Sequence, residues 1–159
     1  LFYNNSKYYL IGWFISILLS LALGGFWESL FLSLGLGEGR LTDLSGERFE
    51  DIVTIGFRWD FLIYSASAIF IGYYFINKKK FKDPIYIQLF NLYVTANAFW
   101  VLIIRSGFSN RIAYLSWFLM AVVVFYPFFK QQLFKNQQRI LAFTILVYYG
   151  FTYFMFLIL

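Results

Sequence analysis

Long apolar runs, broken by short polar stretches, constrain this chain more than any single motif. A helix that crosses a bilayer needs roughly 20 mostly apolar residues at about 1.5 Å rise each. Segments of that kind, or close to it, run over about 8–25, 60–76, 85–104, 112–129 and 140–159. The first continues into a less regular apolar stretch up to residue 36, interrupted by Gly24, Gly25 and Glu28. That extension is expected to kink or to lie along the membrane interface. Pro84 opens the third segment, where a missing N–H costs nothing, and Pro127 is expected to bend or end the fourth. Composition points the same way: 61% of residues are hydrophobic and 13% charged, against about half and about a quarter in a soluble domain. No β-barrel alternation, internal repeat or low-complexity linker interrupts the pattern. The expected fold class is all-α, a polytopic integral membrane bundle of about five transmembrane helices forming one domain over 1–159. Because the chain starts at Leu1 and drops almost directly into a span, it is read as the C-terminal part of a larger bundle.

Charge then sets an orientation. The stretch 77–83 reads NKKKFKD, and the 130–139 stretch carries Lys130, Lys135 and Arg139. Short basic loops belong in the cytoplasm, and these two fall on one side if the segments alternate. Lys7 and the N-terminus of the chain are then inside. The outer loop 37–59, with five acidic residues and three arginines, lies outside with the 105–111 turn and the C-terminus. The net charge of +5 reflects this topology and gives no reason to expect nucleic acid. The absence of Cys and His removes thiol chemistry, disulfides, zinc-type sites and a His base. No phosphate-binding glycine loop, nucleophile elbow or metal-ligand cluster appears, so neither cofactor nor metal is expected.

Two residues break the charge rule. Arg105 and Arg111 flank the turn SGFSN on the outer side, and Arg58 and Asp60 stand at the mouth of the second segment. A guanidinium stays charged and presents a planar fork suited to phosphate or carboxylate. Arg58, Arg105 and Arg111, with Asn110 and Ser109 adding donors in the turn, are candidates for an anion cradle. The competing reading is headgroup snorkelling by Arg105 and Arg111, with an Arg58–Asp60 pair that only anchors the loop. Gln88, Asn91, Thr95, Ala98, Leu102 and Arg105 share one face of the third segment. Phe61, Ser65, Ala68 and Gly72 form a stripe of mostly small residues on the second. Packing of these two segments would bring Arg58 and Arg105 to one mouth, with the polar residues acting either as packing glue or as a wet pathway. Trp100 and Trp117 are packing or interface aromatics, or alternatively sugar platforms. Glu47, Glu50, Asp51 and Asp60 are the candidate outer proton acceptors, and Asp60 is nearest an arginine.

The runs GFRWDFLIYS (56–65), NAFWVLIIR (97–105) and FSNRIAYLSWF (108–118), followed by Tyr126-Pro127, resemble the C-terminal half of the EpsG family. Those proteins are multi-spanning bacterial membrane proteins of exopolysaccharide and O-antigen synthesis, regarded as Wzy-like polymerases. The resemblance covers residues from about 47 to the end; the first segment shares only its hydrophobic character. It implies an inner-membrane glycosyl transfer in which a glycan leaves undecaprenyl diphosphate and joins a hydroxyl on the next lipid-linked repeat. The implied partners are that lipid-linked oligosaccharide, membrane lipid and other polysaccharide-assembly proteins. Arg58, Arg105, Arg111, Asn110 and Trp100 would bind substrate, and Asp60 would serve as base or orient Arg58. A transporter or flippase of lipid-linked or anionic glycan, and a non-catalytic scaffold subunit, are the alternatives.

Overall fold

The computed structural model describes residues 5–33, 56–105 and 109–158. Among these residues all regular structure is helical. The helices are α1 (Ser6–Ala22), α2 (Phe26–Ser33), α3 (Trp59–Asn77), α4 (Pro84–Leu102), α5 (Ser109–Lys130) and α6 (Gln137–Ile158). Helices α3 and α4 are long and apolar enough to cross a membrane. The expected outer loop, with Glu47, Glu50 and Asp51, lies outside the described residues apart from 56–59.

The first expected segment divides in two. Helix α1 starts on an Asn5 cap, whose side chain accepts from the Lys7 N–H at 3.2 Å, and it ends at Ala22. Gly25 then adopts φ +84, a left-handed conformation open to glycine because it lacks a Cβ. The extension beyond it is a separate short helix, α2, whose buried Phe31 meets Phe99 of α4 edge-on at 4.8 Å.

Helix α4 is the centre of the bundle. Asp83 caps it, accepting from the N–H groups of Ile85 (2.9 Å) and Tyr86 (3.3 Å), and Pro84 occupies its first turn as expected. Tyr86, Phe90, Tyr93, Val94 and Val101 are fully buried, pointing in several directions around the helix. Toward α3, the Tyr93 hydroxyl donates to the Ser65 carbonyl at 2.7 Å. Gly72 lets α3, α4 and α5 converge: a Cβ there would lie 2.5 Å from the Phe90 ring and 3.0 Å from Val123. Toward α1, the Trp13 indole N–H donates to the Asn97 side chain at 2.8 Å.

Pro127 does not end α5, which continues to Lys130. Proline cannot donate to the carbonyl four residues back, and that carbonyl, Val123, accepts instead from the buried Tyr86 hydroxyl at 2.8 Å. A side chain from the neighbouring helix thus replaces the hydrogen bond that proline removes. Helix α6 is held to α3 by Tyr64–Thr152 (3.2 Å) and Ser67–Tyr148 (2.7 Å) hydroxyl pairs. Tyr64 also stacks on Phe151 at 4.7 Å.

The 78–83 and 131–136 connections meet at one end. Lys79 Nζ donates to the Leu133 carbonyl at 3.1 Å and sits 4.0 Å from the Phe134 ring centroid. Lys80 has φ 52, which turns the chain so that Phe81 N–H reaches back to the Phe75 carbonyl at 3.0 Å. Asp83 also accepts from the Tyr126 hydroxyl at 3.2 Å and lies 3.9 Å from Lys130. Burial pushes the Asp83 carboxyl up, but the Tyr86 and Ile85 amides, then Tyr126 and Lys130, outweigh it and hold it below its ordinary value. Elsewhere the outward faces are apolar: Phe118 is 78% exposed, Phe129 79% and Tyr149 70%.

Two outcomes test these contacts. Tyr86→Phe leaves the buried Val123 carbonyl without its donor and is expected to cost about 1–3 kcal/mol, seen as a lower thermal transition in detergent. An unchanged transition would mean that the carbonyl is satisfied in another way. Asp83→Ala is expected to be less stable than Asp83→Asn, whose amide oxygen still caps α4. With the folded carboxyl titrating low, its contribution is complete above the unfolded value of 3.8 and fades as pH falls through the folded value. The gap between wild type and Asp83→Ala should therefore close on acidification; a gap that widens instead would contradict the assignment.

Candidate functional site

The opposite end of α3 and α4 holds the arginines. Just before α3 the chain makes a tight turn, with Trp59 N–H bonding to the Phe57 carbonyl at 3.1 Å, which leaves Arg58 as the residue preceding the helix. Asp60 occupies the first helical turn, where a carboxylate suits the positive end of the helix dipole. The two side chains close on each other. Arg58 donates from Nε to Oδ1 at 3.1 Å and from Nη2 to Oδ2 at 2.7 Å. The guanidinium also lies 3.9 Å from the Phe61 ring centroid. Both partners remain partly exposed, at 21% and 36%, so the pair adds little to stability. Its effect is geometric: Asp60 and Phe61 fix the plane of the Arg58 fork.

Arg105 is placed by a different device. Past the end of α4 the chain makes one more turn, and Ile103 and Ile104 are buried at 0% and 1% exposure. That anchoring directs Arg105 toward the end of α1, where a methyl group added to Gly24 would fall on its guanidinium. Arg105 also lies 5.8 Å from the ring centroid of Phe57, the neighbour of Arg58. Phe57 thus brings Arg105 near the start of α3, but not by the expected route: the face of α4 that carries Thr95 and Ala98 turns to α1 and not to the small stripe of α3. Arg105 Nε is buried and has no hydrogen-bond partner, and no carboxylate pairs with this side chain among the described residues. Among the described residues, one arginine is therefore oriented by a carboxylate, while the other is seated against Gly24 with no carboxylate beside it.

The remaining expected residues divide. Asn110 and Arg111 fall in the first turn of α5, but their side chains lie outside the described ones. Trp100 is 1% exposed within the core, with no partner for its indole N–H among the described residues, so its faces meet protein. Trp117 packs edge-on against Phe61 at 5.2 Å. No family model, curated protein or solved structure matches this chain. Its function must therefore be argued from residues and geometry.

The polar face of α4 turns toward α1. Thr95 and Ala98 line a groove of about 600 Å³ with Tyr8, Tyr9, Gly12 and Ser16, while Thr95 donates back to the Asn91 carbonyl at 2.8 Å. Phe90 and Tyr93 of α4 meet α3 instead. Gly24, Phe57 and Asn97 were missed as residues that shape this region. The double glycine at the end of α1 was the available signal for the first. Asn97, an amide in an apolar helix, was the signal for the third.

Gly24→Ala isolates the Arg105 seat. The clash is with the tip of a flexible side chain, so stability should stay within about 1 kcal/mol of wild type, while the guanidinium must move. Titration of the full chain in detergent with pyrophosphate should then give weakened binding, approaching that of Arg105→Ala. Wild-type affinity in Gly24→Ala would show that this seat does not position the cation.

Proposed function

We propose that this chain is part of a bacterial inner-membrane polysaccharide polymerase, a multi-spanning helical protein resembling the EpsG family, with its N-terminus inside and its C-terminus outside. The extensive apolar exposure on the outward faces of α1, α5 and α6 supports lipid as the solvent. Clustering of the lysine-rich connections at one end supports the orientation. The single observation that carries the function is the pair of arginine environments at the other end: Arg105 seated on Gly24 with no carboxylate beside it among the described residues, and Arg58 held in plane by Asp60.

The chemistry asks for that arrangement. An acceptor hydroxyl oxygen attacks the anomeric carbon of the growing glycan, the bond from that carbon to undecaprenyl diphosphate breaks, and the diphosphate leaves with the electron pair. The hydroxyl proton passes to a base or to water. Negative charge grows on the leaving diphosphate, where fixed cationic donors act most strongly. Arg105 supplies a cation without a carboxylate partner among the described residues, and Arg58 supplies an oriented fork; Arg111 and Asn110 in the adjoining turn are candidates to complete the cradle. Both Asp60 oxygens already accept from Arg58, which favours an orienting role over that of a free base. Trp100, enclosed in the core, would support the site from behind.

Arg105→Ala should lower polymer formation from purified lipid-linked repeats by about 10²–10³-fold with protein level unchanged. Arg58→Lys should also be impaired, since an ammonium cannot reproduce the fork. Asp60→Asn should retain part of the activity if it orients Arg58 and none if it is the base. Normal polymer length from Arg105→Ala would overturn the diphosphate assignment. The groove along Thr95 and Ala98 favours a second reading, a transporter of lipid-linked glycan. Reconstituted vesicles separate the two: polymer made from repeats supplied outside supports polymerase, and translocation without bond formation supports transport.

A further inference from the structure

The connection between α5 and α6 is built, not slack. The Gln137 side chain accepts from the Leu133 N–H at 2.6 Å and donates to the carbonyls of Phe128 (2.7 Å) and Gln131 (3.1 Å). Lys79 reaches across from the α3–α4 connection to the Leu133 carbonyl. Phe134 turns inward, stacked on Phe128 at 5.8 Å and edge-on to Phe75 at 6.4 Å. With Leu133 and Phe134 anchored in this way, the rest of the segment curves around a cavity of about 260 Å³. It is lined by Gln132, Lys135, Asn136, Gln137, Gln138 and Arg139.

The lining holds two cations, amide side chains and no carboxylate. Asp83 is the described acid at this end, and it is engaged by its own helix cap, Tyr126 and Lys130. The cavity field is therefore positive and uncompensated among the described residues. Directly above it, one turn beyond Arg139, the outward face of α6 becomes apolar: Phe143 is 68% exposed and Leu146 67%. Those two residues share a helix face, being three apart. A polar cationic cavity on an anchored connection, next to an apolar helix face, matches an amphiphile with an anionic head.

We propose that this cavity binds the phosphate ester of an anionic phospholipid, with Lys135 and Arg139 on the phosphate and the acyl chains along Phe143 and Leu146. The site lies at the opposite end from Arg58 and Arg105. It rests on the placement of α6 in a bilayer and does not depend on the polymerase reading. Basic residues just outside a spanning helix attract anionic headgroups; here a built cavity would give that attraction a defined address.

The test uses the full chain reconstituted in phosphatidylcholine bilayers containing phosphatidylglycerol. The protein is re-extracted, and co-purifying lipids are quantified by mass spectrometry. Wild type is expected to retain phosphatidylglycerol preferentially. K135Q/R139Q should lose that preference by about fivefold per cation removed, while K78Q/K82Q, which removes equal charge at the same end outside the cavity, should keep it. Thermal transitions of both variants check that they fold. Equal loss in the two double variants would reduce the effect to diffuse surface charge and overturn the site. Absence of any preference in wild type would also overturn it. Displacement of the lipid by millimolar inorganic phosphate would assign the cavity to free phosphate and overturn the lipid assignment.

Discussion

Three side chains of α4 each carry a hydrogen bond to a different neighbouring helix: Tyr86 to the Val123 carbonyl, Tyr93 to the Ser65 carbonyl and Asn97 to the Trp13 indole. The rest of the bundle depends on these contacts because apolar packing alone does not choose a register. In a core of interchangeable Phe, Ile and Val faces, sliding one helix by a turn alters the burial of apolar surface only modestly. It would break a buried hydrogen bond outright, and an unpaired buried polar group costs about 1–3 kcal/mol. The polar contacts therefore fix where each helix stands along α4. That register determines which residues meet at the two ends.

The ends carry opposite kinds of order. At one, the lysine-rich connections are tied down by Asp83, Gln137 and the inward rings of Phe81 and Phe134. At the other, two arginines sit on aromatic and glycine surfaces, and the described carboxylate there, Asp60, is committed to Arg58. The distinction matters for ligands. The exposed lysines of the 78–82 stretch attract anions broadly, whereas a guanidinium with a fixed plane selects by geometry. The same chain thus offers a diffuse cationic surface with one shaped cavity at one end, and a positioned pair of guanidinium groups at the other.

Much of the helical layout was legible in the sequence because length and hydrophobicity decide it. Pro84 at the start of α4 and the close helix approach at Gly72 followed from spacing. What spacing could not give was the identity of partners. The polar face of α4 was expected against α3, yet periodicity alone cannot choose between α3 and α1; the bulky Phe90 fits against Gly72, leaving Thr95 and Ala98 for α1. Pro127 was a fair stop signal locally. Its outcome was set by Tyr86, a residue 41 positions earlier, which no local rule connects to it. The separation of α2 turned on the left-handed Gly25, a backbone choice that the glycine pair permitted without requiring.

Gly24 shows how the register and the site are linked. The Trp13–Asn97 hydrogen bond fixes α1 beside α4, and eleven residues farther on Gly24 arrives beside Arg105, eight residues beyond Asn97. Any side chain at Gly24 would occupy the space that the guanidinium fills. A guanidinium that fills the space left by a missing side chain loses some of its freedom in folding, so less of that entropy is lost on meeting an anion. Arg58 reaches a similar state through Asp60, but with its charge partly neutralised. An anion at this end would thus meet one cation seated against Gly24 and another whose orientation is set by a carboxylate. The first contributes more net attraction, and the second more directional discrimination. Such a division of labour follows from the two environments themselves, whichever reaction the anion undergoes.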